Sequence, residues 1–465
     1  MMKISTRRLT VFWGVLLLTA GLIVGGSLAS AALPNGFAGR DRIAITASQS
    51  ASAPTAHLTG DDVRDISDAM RSPAAWWSVQ KESLCSENRQ SAANVFAVGG
   101  PFADFHAIKM LHGNFLSRIG GDGRSLVLDR NLAWELFGTE NAVGMKVMIE
   151  DVQYTVTGVC ETDTSLPALL SRDKTPVAYI AYGNSTAPVW GLEAELEKAL
   201  PGKSLGIVQD AFRMQGKDVS GFLFEDVTEY ARLDAESAAL PQALLACILT
   251  VLAFLWAKAT VNRMIRSLRA YLEDKYLFES WRAVLWRVAQ MALVCAGAVG
   301  AVWGAWLLAD FPFYLPGRFI PASLIDMDFY KNLLESQTQE KLNALKYIPQ
   351  SWRLARDAAM QIAGYMNITA FAGLAVYGAG LALLNDAREM QPCGGSLKQR
   401  LADTCLVWIF LGASIGAACG VCLAMGIPVR FPWGNAALLC VGLAAWALWA
   451  FCREEITGFL PAAFK

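Results

Sequence analysis

The chain opens on a long apolar run. From Leu9 to Leu33 nearly every position is aliphatic, aromatic, Gly or a small hydroxyl residue. A bilayer core about 30 Å thick needs ~20 apolar residues in a helix, so this run predicts a membrane span. Similar runs follow at 239–257, 284–309, 361–384, 404–426 and 434–452. Between the first and second runs the pattern changes. Ser125-Leu-Val-Leu128, Lys146-Val-Met-Ile149 and Gln153-Tyr-Thr-Val-Thr157 read as strands. Leu132-Ala-Trp-Glu-Leu-Phe137 reads as a short helix closed by Gly138. The predicted fold class is an α-helical transmembrane bundle of about six helices with an inserted extracytoplasmic α+β domain.

The expected organisation follows. Residues 1–35 hold the first span and 36–236 the inserted domain. Spans two and three fill 237–309, joined by a basic amphipathic loop over 262–287 that lies on the inner leaflet or starts the third span. An extracytoplasmic segment, 310–360, contains a helix near 326–346. Three more spans occupy 361–455, and 456–465 is a tail. A signal peptide is the rival reading of the first run, because Ser27 to Ala32 resembles a cleavage site. The run exceeds the usual ~7–15 residue signal core, and Gly21 and Gly25 suit helix packing, which favours a retained helix.

Composition agrees with a membrane protein. The chain is 54% apolar and 17% charged, with a mean hydropathy of +0.33, whereas soluble domains carry about 25% charge. A net charge of -1 gives no reason to expect a nucleic-acid partner. Residues 36–236 are acidic, with 27 Asp and Glu against 18 Lys and Arg. Basic residues collect elsewhere: Lys3, Arg7 and Arg8 before the first span, Lys258, Arg263, Arg266, Arg269, Lys275 and Arg282 after the second, Arg388, Lys398 and Arg400 after the fourth, and Arg453 after the sixth. The positive-inside rule then places both termini in the cytoplasm and 36–236 outside a multi-pass cell membrane. The bases of 310–360, among them Arg353 and Arg356, pull against that assignment.

Candidate chemistry is sparse. Pro201-Gly-Lys-Ser204 lacks the first glycine of a P-loop, since position 197 is Glu. No HExxH occurs, and the three histidines, His57, His106 and His112, read as structural. No catalytic residue, metal site or cofactor is expected. The spans hold almost no mid-depth charge, Asp403 and Gln290 lying near span starts, which argues against ion-coupled transport. Gly297, Gly300 and Gly304, and Gly412, Gly416 and Gly420, form stripes that predict close helix packing. Eight of the ten cysteines fall in or beside apolar segments, and the Cys419–Cys422 pair reads as small packing residues. Only Cys85 and Cys160 lie in the inserted domain, where a bridge between them stays open.

Residues 95–159 carry a more specific pattern. Val95-Phe-Ala-Val-Gly-Gly100 precedes Leu111-His-Gly-Asn-Phe115, then Ser125-Leu-Val-Leu128, Ala133-Trp-Glu-Leu-Phe-Gly138, Asn141-Ala-Val-Gly144 and Tyr154-Thr-Val-Thr-Gly-Val159. This order resembles the periplasmic core domain of MacB-like ABC transporter permeases, with Gly113, Phe115, Leu128, Ala133, Leu136, Phe137, Gly138, Gly144 and Gly158 as its structural motif positions. Residues 361–455 resemble the FtsX-like permease domain, with Arg388-Glu389-Met390 and then Gly394-Gly395-Ser396 in the cytoplasmic turn, more closely spaced than is usual there and broken by Pro392. The extra spans two and three depart from the family's common four-span form. The resemblance implies a permease subunit of the mechanotransmission type, without its own ATPase. It would couple a separate cytoplasmic ABC ATPase to movements of the extracytoplasmic domain, for export or extrusion. It also implies a homodimer or a heterodimer with a second permease, among membrane lipids. Arg388, Glu389, Gly394 and Gly395 are one candidate ATPase-coupling element; Arg266 and Arg269 belong to the other. An FtsX-like signalling protein that regulates cell-wall hydrolases, or a membrane-anchored sensor without ATPase, is the alternative.

Overall fold

The computed structural model describes residues 2–31, 41–47, 57–86, 89–106, 108–116, 124–163, 174–185, 187–196, 203–273, 281–316, 319–320, 326–344, 347, 351–389, 397–427, 429 and 434–447. The chain divides into two compact units. One, the helical unit, comprises Met1–Ala31, Asp234–Phe313 and Ala359–Lys465; the other, the sheet unit, comprises Ala32–Leu233 and Tyr314–Ala358.

The sheet unit is built on a ten-stranded mixed sheet: β1 (Asp41–Ala47), β2 (Ala74–Cys85), β3 (Gln90–Gly99), β4 (Met110–Gly113), β5 (Ser125–Asp129), β6 (Lys146–Ile149), β7 (Val152–Cys160), β8 (Val177–Ala181), β9 (Gly191–Leu196) and β10 (Phe222–Asp226). Its order is β10-β1-β9-β2-β3-β8-β5-β7-β4, with β6 against β2 and β7. The β3–β8 and β5–β7 pairs are parallel. Alternation sorts side chains to two faces. On one face α2 (Gly60–Met70) packs Val63 and Ile66 with Ile43, Ile45 and Trp76. The first turn of α2 is fixed by a capping box in which Thr59 and Asp62 satisfy each other's backbone amides. Further along that face, Leu132, Ala133 and Leu136 of α4 (Arg130–Phe137) meet Leu126, Leu128 and Val156. Phe137 packs on this core but is only half-buried. The other face carries an aromatic cluster of Trp77, Phe102 and Phe105, the last two from α3 (Phe102–His106). Cys85 and Cys160 are both free thiols, which answers the open question of a bridge. Cys160 is buried, and burial pushes its thiol pKa up to about 12. After the sheet's ninth strand comes α5 (Ser204–Met214), which adds Val208 and Phe212 to the first face.

Five described helices are long and apolar enough to cross a membrane. They are α1 (Met2–Ala31), α6 (Val227–Glu273), α7 (Trp281–Ala309), α9 (Ser351–Glu389) and α10 (Leu397–Ala424). The sixth expected span is described as a shorter apolar helix, α11 (Gly434–Ala447). Helix α8 (Met327–Ala344) fills the segment where a helix was expected near 326–346. Of the segment 262–287, the part through Glu273 is helical and continuous with α6, and the part from Trp281 begins α7. At 47 residues α6 is about 70 Å long, more than twice a bilayer core.

The helical core gathers Val15 and Leu18 of α1, Leu245 of α6, Leu374 and Tyr377 of α9, Leu411 of α10 and Leu443 of α11. Close packing comes from glycines outside the two predicted stripes. A methyl group at Gly14 would lie 2.5 Å from the backbone nitrogen of Tyr377, and one at Gly373 would lie 2.4 Å from that of Leu18. Helices α1 and α9 therefore touch backbone to backbone. Gly297, Gly300 and Gly304, and Gly412, Gly416 and Gly420, face open space instead. Their expected packing role is not realised within this chain.

Candidate coupling site

Where the sheet unit feeds its helices, three acids converge. Asp41 begins β1, and Glu225 and Asp226 end β10. The strands are antiparallel, with Ala44 opposite Glu225 and Ile43 opposite Asp226. Alternation along β10 sends Phe222 and Phe224 to the core side, against Phe212. Glu225 therefore points to the other face, where Ala44 is small and Val227 and Tyr230 of α6 pack beside it.

Each acid has an assigned partner. Asp226 Oδ1 accepts the backbone N–H of Glu229 at 2.9 Å and so caps the start of α6. Asp41 accepts the Ser204 hydroxyl at 2.8 Å and lies 3.3 Å from Arg232 of α6. Glu225 lies 2.9 Å from Arg353 in the first turn of α9, with side-chain exposures of 3% and 20%. Burial raises the Glu225 pKa above the ordinary carboxylate value, and the Arg353 charge opposes that rise. Burial likewise raises Asp226, opposed by the Glu229 amide.

Aromatic contacts surround this charge cluster. The Arg356 guanidinium stacks over Tyr230 at 4.2 Å and that of Arg232 over Tyr314 at 5.2 Å. The Tyr347 hydroxyl donates to the Ser220 carbonyl at 3.0 Å. Thus Tyr314, Tyr347, Arg353 and Arg356, from the segment read from sequence as 310–360, contact β10, the turn before it and the start of α6. A second buried ionic centre lies on β1 and β9, where Arg42 sits 3.4 Å from Glu193 and 3.3 Å from Glu195. Arg42 also donates to the Phe105 carbonyl at 3.1 Å. Among the described residues no group of His, Cys, Asp and Glu could hold a metal ion.

The sequence-predicted coupling residues lie elsewhere. Arg266 and Arg269 are exposed on α6, beyond its apolar stretch. Arg388 and Glu389 are in the last turn of α9, and their side chains are outside the described residues, as are Gly394 and Gly395 altogether. Sequence reading missed Glu225 and Arg353 because 127 residues of chain lie between them (226–352) and no local pattern joins them. The one available signal was the presence of bases in 310–360, Arg353 and Arg356 among them, in a segment expected to lie outside.

The motif positions all fall in the sheet unit. Leu128, Ala133 and Leu136 are fully buried in one core. Gly138 closes α4 at φ 71°, a left-handed conformation that favours glycine. Gly113 has φ 70°, and a methyl group there would lie 2.2 Å from the Thr157 carbonyl oxygen. Gly158 is its partner across β4 and β7. Gly144 donates its N–H to the Val156 carbonyl at 2.8 Å, and Phe115 stacks on Phe102 in the aromatic cluster.

The family model of the MacB-like periplasmic core domain matches residues 9–198. Over that stretch, less than half of the chain, the sequence is similar to this family. Solved structures similar to part of this chain include the periplasmic region of MacB from Actinobacillus actinomycetemcomitans, at 16% identity and a TM-score of 0.34, covering 40% of this chain and 89% of that one. Another is the extracellular domain of the noncanonic ABC-type transporter YknZ from Gram-positive bacteria, at 12% identity and a TM-score of 0.32, covering 40% and 100%. A third is a domain of a putative permease from Porphyromonas gingivalis, at 10% identity and a TM-score of 0.26, covering 40% and 88%. No curated protein matches the chain. The MacB-like match begins inside α1 and ends just after β9, so it covers neither α6 nor any later helix.

Proposed function

We propose that this chain is the permease subunit of an ABC transporter that transmits movement rather than conducting a substrate through its helices. The observation that carries the reading is the MacB-like domain match in a chain that has, among its described residues, five helices apolar enough to span a membrane. The sheet unit lies outside the cytoplasm and both termini lie inside it, as the loop arginines and lysines imply. A separate ATPase docks on the cytoplasmic ends of the helices. Arg388 and Glu389, at the end of α9, form the favoured docking element, and Arg266 and Arg269 on α6 form the competing one. Gly394 and Gly395 belong to the turn after the first. A second permease, identical or related, completes the transporter, which works in export or extrusion.

Co-purification from the native host tests the reading. The wild-type chain is expected to bring down an ABC ATPase in the presence of a non-hydrolysable ATP analogue. Charge reversal at Arg388 and Glu389 is expected to release it, while reversal at Arg266 and Arg269 is expected to leave it bound. A wild-type chain that brings down no ATPase in any nucleotide condition would overturn the proposal and favour a sensor or signalling role.

A further inference from the structure

We propose that the Glu225–Arg353 pair is the grip through which α9 positions the sheet unit, so that displacement of this helix is passed to β10 and β1. The inference rests on the permease reading for the origin of the movement, but the contact itself does not.

Three observations carry it. The first is placement. Glu225 is on the last strand of the sheet, one residue before Asp226 caps α6, and Arg353 is in the first turn of a helix 39 residues long. The distal end of that helix carries Arg388 and Glu389. One continuous helix thus carries the grip at one end and the proposed docking residues at the other. The second is chemistry. Glu225 is almost wholly buried beside Ala44, so water cannot readily substitute for the guanidinium. An arginine–carboxylate contact is also directional, which fixes the register of α9 against the strand. The third is reinforcement. Arg356, three residues on, stacks over Tyr230 and lies 3.4 Å from Asp357, and Arg353 is 4.0 Å from the same Asp357. Asp41 holds Arg232 of α6 in the same way. Each of the two long helices at this end is therefore tied by an arginine–carboxylate pair to the paired strands β1 and β10. An apolar contact of the same shape would stabilise the fold about as well. What an ion pair adds is a single preferred register, which a force-bearing joint requires.

Hydrogen exchange on the full-length chain in lipid nanodiscs tests this in two arms. In the chain alone, Glu225→Gln is expected to raise exchange about fivefold at the amides of 222–226 and of 353–358 together. If only the strand responds, the two elements are not joined through the pair and the proposal is overturned. With the ATPase bound, a non-hydrolysable ATP analogue is expected to alter exchange at 222–226 in wild type. In Glu225→Gln that response is expected to vanish, with ATPase binding and nucleotide binding unchanged. Arg353→Lys keeps the charge and is expected to restore part of the response. A nucleotide response that persists in Glu225→Gln would make the pair structural only and overturn the proposal. Failure to recover any ATPase would sink the permease reading, while the first arm would still decide the grip.

Discussion

Asn367 of α9 donates its side-chain amide to the Ser237 carbonyl of α6 at 2.7 Å. Four residues after Ser237 comes Pro241, inside the helix. Proline has no N–H, so the carbonyl four positions earlier loses its helical donor. Asn367 supplies the missing bond from a neighbouring helix, as membrane bundles with interior prolines require. Both groups belong to the helical unit.

Asn367→Leu should therefore destabilise the chain by about 1–2 kcal/mol, because it leaves a part-buried carbonyl without its donor. In the Pro241→Ala background the helix recovers its own donor, and the same substitution should cost markedly less. A double-mutant cycle of detergent unfolding reads the coupling directly. Equal costs in both backgrounds would show that Asn367 does not serve the proline gap.

Leu128 and Leu132 are fully buried in the core that α4 shares with β5 and β7. Truncating either to Ala should cost ~2–5 kcal/mol. Phe137→Ala should cost less, since its ring is half-buried. Thermal unfolding followed through the sheet unit ranks the three, and a Phe137 effect larger than Leu128 would contradict the packing.

The His106 imidazole stands edge-on to Trp77 and 4.1 Å from the Phe102 ring. Burial lowers its pKa below 6.5; Glu193 and Asp163 oppose the shift and Arg42 adds to it. The unfolded chain takes up this proton more readily than the native one. The stabilising contribution is therefore complete above the unfolded value and is lost as pH falls through the depressed native one. The melting temperature should drop between pH about 7 and about 5, and His106→Gln should flatten that part of the profile. An unchanged slope in the variant would assign the pH dependence to other groups.

Much of this architecture was legible in the sequence, for physical reasons that differ by element. Hydrophobic runs announce spans because the bilayer imposes a minimum length, and α1, α7 and α10 match their runs closely. Turn chemistry announced the end of α4, where Gly138 is left-handed. The length of α6 was not legible: its ends, 227–238 and 258–273, are too polar to extend the apolar run that marks the span. The close contact of α1 with α9 was half legible. Gly21 was identified as a packing residue, and a methyl group there would lie 2.5 Å from the Met366 carbonyl. The more conspicuous stripes on α7 and α10 misled, because small residues permit approach but do not specify a partner. The acids at the foot of the sheet were invisible, since nothing local distinguishes Glu225 from a solvated glutamate.

The two members of that ion pair should respond unequally to mutation, and the inequality distinguishes a buried carboxylate from an ordinary surface bridge. Arg353→Met removes the cation and leaves Glu225 charged among Ala44, Val227 and Tyr230. Breaking a buried pair in this way typically costs ~3–5 kcal/mol. The partial exposure of Arg353 places this case toward the lower end. Glu225→Gln removes the charge that burial penalises and keeps an acceptor for Arg353, so its net cost should stay near ~1 kcal/mol. The pH dependence follows the same logic with its own sign. Burial holds the Glu225 pKa above its ordinary 4.5. Its contribution is therefore fully present below the unfolded value and lost as pH rises through the raised native one, opposite to His106. Arg353→Met strips away the one opposing charge in contact and should raise the Glu225 pKa further. The variant's stability deficit should then shrink on acidification from neutral pH toward about 5, whereas the Glu225→Gln deficit should not. Unfolding of the two variants side by side at both pH values decides the matter; equal losses with no pH dependence would show that the pair behaves as a solvent-screened surface bridge.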